Sequence, residues 1–354
     1  MPQRSSTRSP QSPAPSGPAS TPLPLPLLAG IAALAFALRW LYLLEIQAAP
    51  FFTLLMGDSR SYDTWARQLA AGDWVGQEVF YQAPLYPYVL GVVYRWLGHD
   101  LFAVRLVQAV FGALSSALLA HAVSRLFTRR AGIIAGVGLA VYAPAIFFDG
   151  LLQKTSLDGL LTCVVLSLLL QLMTTAARAR SWLSLGAGLA ALTLTRENAL
   201  LLVAVVAAWA LLPPPVGPAE EASLNAIGRL RQRLMPLGLG LALLLVPVAV
   251  RNAVVGGGFY LTASQFGANF YLGNNAVTDG TAGSLISGRG SAEYERQDAT
   301  DLAERAMGRS LTPGEVSAYW TGRAMAFIRE QPGAWLTLMV RKLALLWNHV
   351  EAFD

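Results

Sequence analysis

The sequence predicts an all-α fold, a polytopic membrane helical bundle, and three observations carry that expectation. Of 354 residues, 54% are hydrophobic and only 13% charged, where a soluble domain carries roughly a quarter charged residues. The apolar residues fall in runs of spanning length, about 17–25 residues, rather than at the alternating or amphipathic spacings of a soluble core. The Arg residues sit between those runs as topology signals and form no basic stripe, so the net charge of +5 does not indicate nucleic acid.

Residues 1–21, rich in Pro and Ser and containing Arg4 and Arg8, cannot bury enough apolar surface to order themselves and read as a disordered cytoplasmic tail. The run from Pro22 to Leu44 exceeds the apolar region of a signal peptide and predicts an uncleaved first span. Further runs lie near 101–124, 131–150, 156–175, 182–195, 197–212 and 235–250, and a last one starts near Trp335, which makes about eight spans. Thr195-Arg196-Glu197-Asn198 divides the stretch 182–212 into two short helices meeting at a polar turn. The expected organisation is therefore a tail (1–21), a transmembrane module (22–251) that includes an outer loop (45–100), a second outer loop (252–334) and the start of a final span (335–354). Because the chain stops at Asp354, directly after that last run, further C-terminal spans are expected beyond it.

Orientation follows from the loops, since Lys and Arg in short loops mark the cytoplasmic side. With the N-terminal tail inside, alternation puts Arg125, Arg129, Arg130, Arg178, Arg180, Arg229, Arg231 and Arg233 on the same side. The opposite, outer side receives 45–100, the turn from Asp149 to Lys154, the Arg196-Glu197 turn and 252–334, and with them nearly all the unusual polar residues. The expected location is thus the plasma (inner) membrane, multi-pass, with the chemistry on the outer face. Trp40, Trp182, Trp335 and Trp347 lie near the borders of runs, as in an interfacial belt.

Within the first outer loop, Tyr62, Trp65 and Leu69 give Ser61 to Ala71 the spacing of an interfacial helix, and Pro84 or Leu85 opens a second. Thr312-Pro313-Gly314-Glu315 reads as a capped start for a helix that runs to about Glu330 and stops before Pro332. No repeat of 20–50 residues supports a solenoid, and Cys163, alone in an apolar run, reads as inert packing.

Chemistry has few candidates. In Gly57-Asp58-Ser59-Arg60-Ser61-Tyr62, the Asp58 carboxylate could act as a general base on an acceptor hydroxyl or amine, or merely cap the Ser61 helix. Tyr81-Gln82-Ala83-Pro84-Leu85-Tyr86-Pro87-Tyr88 could wall a lipid or sugar site or anchor the chain at the interface. Lys154, Arg196 and Arg251 lie at the outer ends of spans, where a carrier phosphate would lie; each alone could equally snorkel to the headgroups. Asp149 and Glu197 could bind sugar hydroxyls, while Asp158 is expected to pair with Lys154, four residues earlier on a helix. Gly267 to Gly280 reads as turns or as a loop that contacts substrate, and Arg39 and Arg105 have no evident role. His99, His121 and His349 stand far apart, with no Cys or carboxylate at ligand spacing, so no metal site is argued.

The order of these features resembles the membrane glycosyltransferases of the C-type superfamily, more narrowly the bacterial protein-mannosyltransferase-like and aminoarabinose-transferase-like branch. Asp58 just after the first span, the Tyr62-Asp63-Thr64-Trp65-Ala66-Arg67 helix and Ala83 to Tyr88 carry the resemblance. Similar phrases continue at Phe147 to Gly150, Leu194 to Asn198, Arg251-Asn252, Asn269 to Asn275, and Gln331 to Gly333 through Lys342 to Asn348. The resemblance implies a polyprenyl-phosphate sugar as donor, Asp58 as the catalytic carboxylate, outer-surface basic residues on the lipid phosphate, and a protein, lipid or polysaccharide acceptor. Tyr86, Asp149, Lys154, Arg196, Glu197 and Arg251 are the substrate-binding candidates. Many relatives carry a second carboxylate where this chain has Ser59 and Pro-Pro-Leu where it has Ala83-Pro84-Leu85, which leaves metal use and acceptor open. A transporter or flippase is the rival reading; it would place ionisable groups near the bilayer midplane with repeated halves. A non-catalytic assembly subunit is the other.

Overall fold

A computed structural model describes residues 22–174, 178–212, 225–256, 258–281 and 283–347; the expected tail (1–21) and His349 lie outside the described residues. The described chain is helical, with no strand. Among the described residues four helices are long and apolar enough to cross a membrane: α1 (Leu25–Ile46), α5 (Leu101–Leu126), α8 (Thr155–Thr174) and α11 (Ala226–Gly256, with a π turn at Leu230–Leu234). Between the first and second lie α2 (Pro50–Thr53), α3 (Gly57–Ala70) and α4 (Leu85–Leu97). A fifth crossing is available to the pair α6 (Arg129–Val141) and α7 (Ala143–Asp149), bent by 52°. Pro144 in the first turn of α7 explains the bend, because proline lacks an N–H and its ring clashes with the preceding turn. The other expected runs form shorter helices: α9 (Ala179–Thr193), α10 (Leu200–Leu211) and, after α12 (Phe266–Gly273), α13 (Ala292–Met307) and α14 (Pro313–Glu330), the terminal α15 (Pro332–Leu345).

The bundle runs α6–α1–α5–α8–α9–α11, neighbour packed on neighbour. Lipid is as apolar as Leu, so close backbone approach and interhelical hydrogen bonds hold such helices together. At the α9–α11 crossing Gly186 lies on the Leu237 carbonyl and Gly240 on the Leu183 carbonyl, and a Cβ at either would overlap that oxygen. Trp182, at the start of α9, is 2% exposed and packed on Trp209 of α10.

Two arginines inside the bundle are engaged by partners on other helices. Arg39 of α1 donates to Asp149 Oδ2 at 2.6 Å and to the carbonyls of Ala35 and Ala140. Gly112 makes room for this pair, since a Cβ there would strike both Arg39 Nε and Asp149 Oδ2. Arg105 donates to the carbonyls of Gly150, Leu101 and Phe52 and lies 3.9 Å over the Phe52 ring. These contacts account for the two arginines that the sequence leaves without a role.

At one end of the bundle the two long inter-span segments meet. α3 and α4 pack as a pair through Tyr62, Ala66, Tyr86 and Leu90 onto Val104 and Leu157 of α5 and α8. α12, α13 and α14 form a second small core around Ala268, Ala303 and Trp320, and α13 packs against α3. α14 begins with the expected capping box, Thr312 and Glu315 bonding reciprocally, and ends at Glu330 as its composition predicts. The Asn-rich stretch after α12 makes turns: Asn274 and Asn275 donate back to the Phe270 and Tyr271 carbonyls.

Candidate functional site

Asp58 is where the two inter-span segments close on each other. α3 starts at Gly57, earlier than the Ser61 the side-chain pattern predicts, because Gly57 adopts φ 53° and turns the extended chain at Met56 into the helix. Asp58 consequently lies in the first turn, where the helix N-terminus favours a negative charge. Its side chain does not cap the helix; the N-cap is Met56, without a side-chain hydrogen bond. Asp58 Oδ1 instead accepts from Gln82 Nε2 at 3.0 Å. Gly57 and Gln82 line an open cleft of about 1390 Å³ that also has Arg60, Trp65, Arg251 and Tyr294 on its walls.

Arg251 and Asn252, at the end of α11, build one wall of that cleft. Arg251 donates through Nε to the Val75 carbonyl at 2.7 Å and through Nη2 to the same oxygen, bonds Asn252 Oδ1, and lies 3.8 Å over the Phe80 ring. Gly76 (φ 66°) lets the chain wrap this guanidinium, since a Cβ there would press on Nη2. Buried Asn252 accepts from Phe80 N–H and donates to the Tyr260 and Thr262 carbonyls, joining the two inter-span segments at a span end. Arg251 thus spends most of its donors on the protein itself.

On the other side of α3 is a second polar cluster. Asp158 Oδ2 accepts from Arg196 Nε at 2.5 Å, so the pairing expected with Lys154 goes to a residue 38 positions away. The reason is tertiary: the turn after α9 delivers Arg196 onto the first turn of α8, and Leu85 N–H anchors that turn by donating to the Leu194 carbonyl at 2.9 Å. Glu197 accepts from Gln265 Nε2 at 3.2 Å, and the Lys154 ammonium lies near enough to act on the Glu197 carboxyl. The Lys154 ammonium, like the Arg60 guanidinium in the cleft, enters no hydrogen bond or ion pair among the described residues. Tyr62 lies between the two groups and feels the charges of Asp58, Asp158, Arg196 and Glu197; burial, reinforced by Asp58, pushes its phenol above the usual range. The buried hydroxyls of Tyr62, Tyr81 and Ser156 and one oxygen of Asp158 have no hydrogen-bond partner among the described residues.

α13 covers this region. Arg296 bonds Glu78 at 2.5 Å and pins the helix to the cleft wall. One residue earlier, burial and then the nearby Asp58 charge push the Glu295 carboxyl up to about 7. Burial and Glu295 likewise push the Tyr81 phenol up.

The structure therefore brings Asp58, Lys154, Arg196, Glu197 and Arg251 to one end of the bundle, and leaves two predicted residues apart from them. Asp149 is 6% exposed and held by Arg39 in the bundle interior. Tyr86 is 1% exposed, its hydroxyl donating to Gln108 Oε1 at 2.5 Å. Sequence reasoning missed Gln82, Arg60, Gln265, Glu295 and Arg296. The first two stand inside phrases the pattern does single out, but Ala292 to Met307 reads as an ordinary charged helix, and only the packing of α13 on α3 gives Glu295 its place.

Residues 81–250, just under half of the chain, match the family model described as dolichyl-phosphate-mannose-protein mannosyltransferase. With the apolar helices of the fold, this match supports a membrane glycosyltransferase as the class. Within that class it supports the mannosyltransferase-like branch. The matched segment runs from the cleft edge at Tyr81 to Val250 within α11 and contains Tyr86, Asp149, Lys154, Arg196 and Glu197; Asp58 and Arg251 fall outside it. Comparison with curated proteins finds no match.

Proposed function

We propose that this protein transfers a hexosyl or pentosyl unit from a polyprenyl-phosphate donor to an acceptor at the outer face of the inner membrane, with inversion and with Asp58 as general base. The observation that carries the reading is the state of Asp58: a carboxylate with one side-chain partner, Gln82, free of capping duty, and adjoining Gly57 and Gln82 on the wall of an open cleft. As the acceptor oxygen bonds to the anomeric carbon, its proton passes to Asp58 and the bond from that carbon to phosphate breaks. The polyprenyl phosphate leaves with the electron pair. A single displacement of this kind inverts the anomeric centre, and a positioned base contributes about 10²–10⁴-fold.

Lys154 is the first candidate for the departing phosphate, because its ammonium is uncommitted, whereas Arg196 is already neutralised by Asp158. Glu197, steadied by Gln265, is suited to a sugar hydroxyl. Arg251 acts as a positioning residue that holds the cleft wall, and Asp149 and Tyr86 act as structural groups. The N-terminus is cytoplasmic in this reading, which the Arg clusters at Arg125 to Arg130, Arg178 to Arg180 and Arg229 to Arg233 support. The test is transfer from a labelled polyprenyl-phosphate mannose or pentose into membranes carrying the protein, followed by analysis of the anomeric configuration. Wild type should give product of inverted configuration and Asp58→Asn none above background; a retained configuration would refute the single displacement.

A further inference from the structure

The cleft beside Asp58, at about 1390 Å³ and open on one side, exceeds the roughly 300–1,000 Å³ that encloses a small ligand. Its size therefore suits a segment of a longer molecule. Much of its charge is already engaged: Arg296 bonds Glu78, and Arg251 bonds the Val75 carbonyl and Asn252 while stacking on Phe80. The other groups on the walls are two rings from different elements, Trp65 of α3 and Tyr294 of α13, the latter with Arg289 over one face, the amides of Gln68, Gln77 and of Gln82, which bonds Asp58, and the unengaged guanidinium of Arg60. Flat amides and guanidinium groups present donors and acceptors in fixed pairs, and aromatic faces supply apolar surface with little conformational freedom to lose. That combination matches a ligand with hydroxyls around its rim and C–H groups on its faces, which is a sugar ring. An extended peptide could not gain affinity here by pairing with a sheet edge, since the described residues contain no strand. An acyl chain would need a continuous apolar wall, and here the apolar stretches are short, Leu54 to Met56 and Val79 with Phe80, set among polar side chains.

We propose that this cleft binds a saccharide acceptor several sugar units long and presents one of its hydroxyls to Asp58. The proposal rests on the transferase reading above and adds the chemical class of the acceptor.

Saturation-transfer NMR on the full chain in lipid nanodiscs tests it, with hexose and pentose trisaccharides as probes and Ser- and Thr-containing hexapeptides alongside. Ring protons of at least one trisaccharide should saturate, and its dissociation constant should rise at least tenfold in Trp65→Ala. Trp65 also packs on Phe80, so Gln77→Ala, on an exposed turn, provides a second variant that leaves the packing intact and should weaken binding at least threefold. No saturation of any trisaccharide, equal saturation in both variants, or saturation of the peptides alone would overturn the proposal. Asp58→Asn should bind the saccharide as wild type does. If that variant also transfers sugar, the role given to Asp58 fails while the cleft assignment stands; if wild type transfers sugar but binds no trisaccharide, the cleft assignment fails by itself.

Discussion

The bundle interior and the end of the bundle where the inter-span segments meet handle charge in opposite ways. Inside, Arg39 closes on Asp149, Arg105 is taken up by three carbonyls and the Phe52 ring, and Gln108 donates to the Asp149 and Leu151 carbonyls. At the other site Asp58 has one side-chain partner, Lys154 has none, and the hydroxyls of Tyr62 and Tyr81 are buried without one. An ionisable residue in an apolar run is costly wherever it lies. Its rarity alone therefore does not mark a functional group; unspent hydrogen-bonding capacity beside a cleft does so better.

The comparison breaks first at Arg39. Arg39→Ala should destabilise the protein by roughly 3–5 kcal/mol, since it strands a buried carboxylate, read as the loss of melting temperature in detergent. Arg39→Leu combined with Asp149→Leu should recover much of that loss, because neither charge then remains to be satisfied. If Arg39→Ala melts like wild type, the interior pair is not structural.

The next largest effect is expected at Asn252, which serves three backbone groups of the two inter-span segments. Asn252→Ala should cost about 1–3 kcal/mol through the groups left unpaired. Hydrogen exchange should rise at Phe80 and around Tyr260 and Thr262 while α5 and α8 stay protected. Lys154→Ala should be smaller in stability and visible in function, with a rise in donor KM of about tenfold or more. That corresponds to the roughly 1.5–3 kcal/mol of a hydrogen bond to a charged group, at unchanged melting temperature. A fall in stability without a change in KM would move Lys154 into the structural class.

The smallest effect is a pH dependence. Glu295 is shifted up to about 7, first by burial and then by Asp58, from an ordinary value near 4.5. The folded state therefore holds this proton more tightly than the unfolded chain, and the cost of ionising Glu295 is absent below about 4.5 and grows as pH rises through about 7. The protection of α13 amides, taken relative to their intrinsic exchange rates, should be lower at pH 8 than at pH 6 in wild type. Glu295→Gln should remove that difference, and Asp58→Asn should move the transition to lower pH.

Legibility in the sequence followed the range of the interactions. Span positions and the gathering of polar residues at one end are one-dimensional properties, and the runs and Arg positions carry them. The capping box at Thr312 was equally readable because its partner is three residues away. Asp158 shows the limit: spacing favours Lys154, but Arg196, 38 residues on, takes the carboxylate because the turn after α9 folds onto α8. Asp149 and Arg39 are 110 residues apart, and no local pattern joins them. Asp58 was readable as a carboxylate in the right region, while Gln82, the cleft and the covering α13 depend on tertiary packing.

The most direct test sets two carboxylates side by side. Asp58→Asn and Asp149→Asn, purified in parallel, should each be measured for melting temperature and for transfer from a labelled polyprenyl-phosphate sugar. The account predicts that Asp58→Asn melts with wild type and transfers at least 10²-fold more slowly, whereas Asp149→Asn melts at a clearly lower temperature and keeps its transfer rate at temperatures where it stays folded. Transfer retained by Asp58→Asn, or lost equally in a well-folded Asp149→Asn, would contradict it.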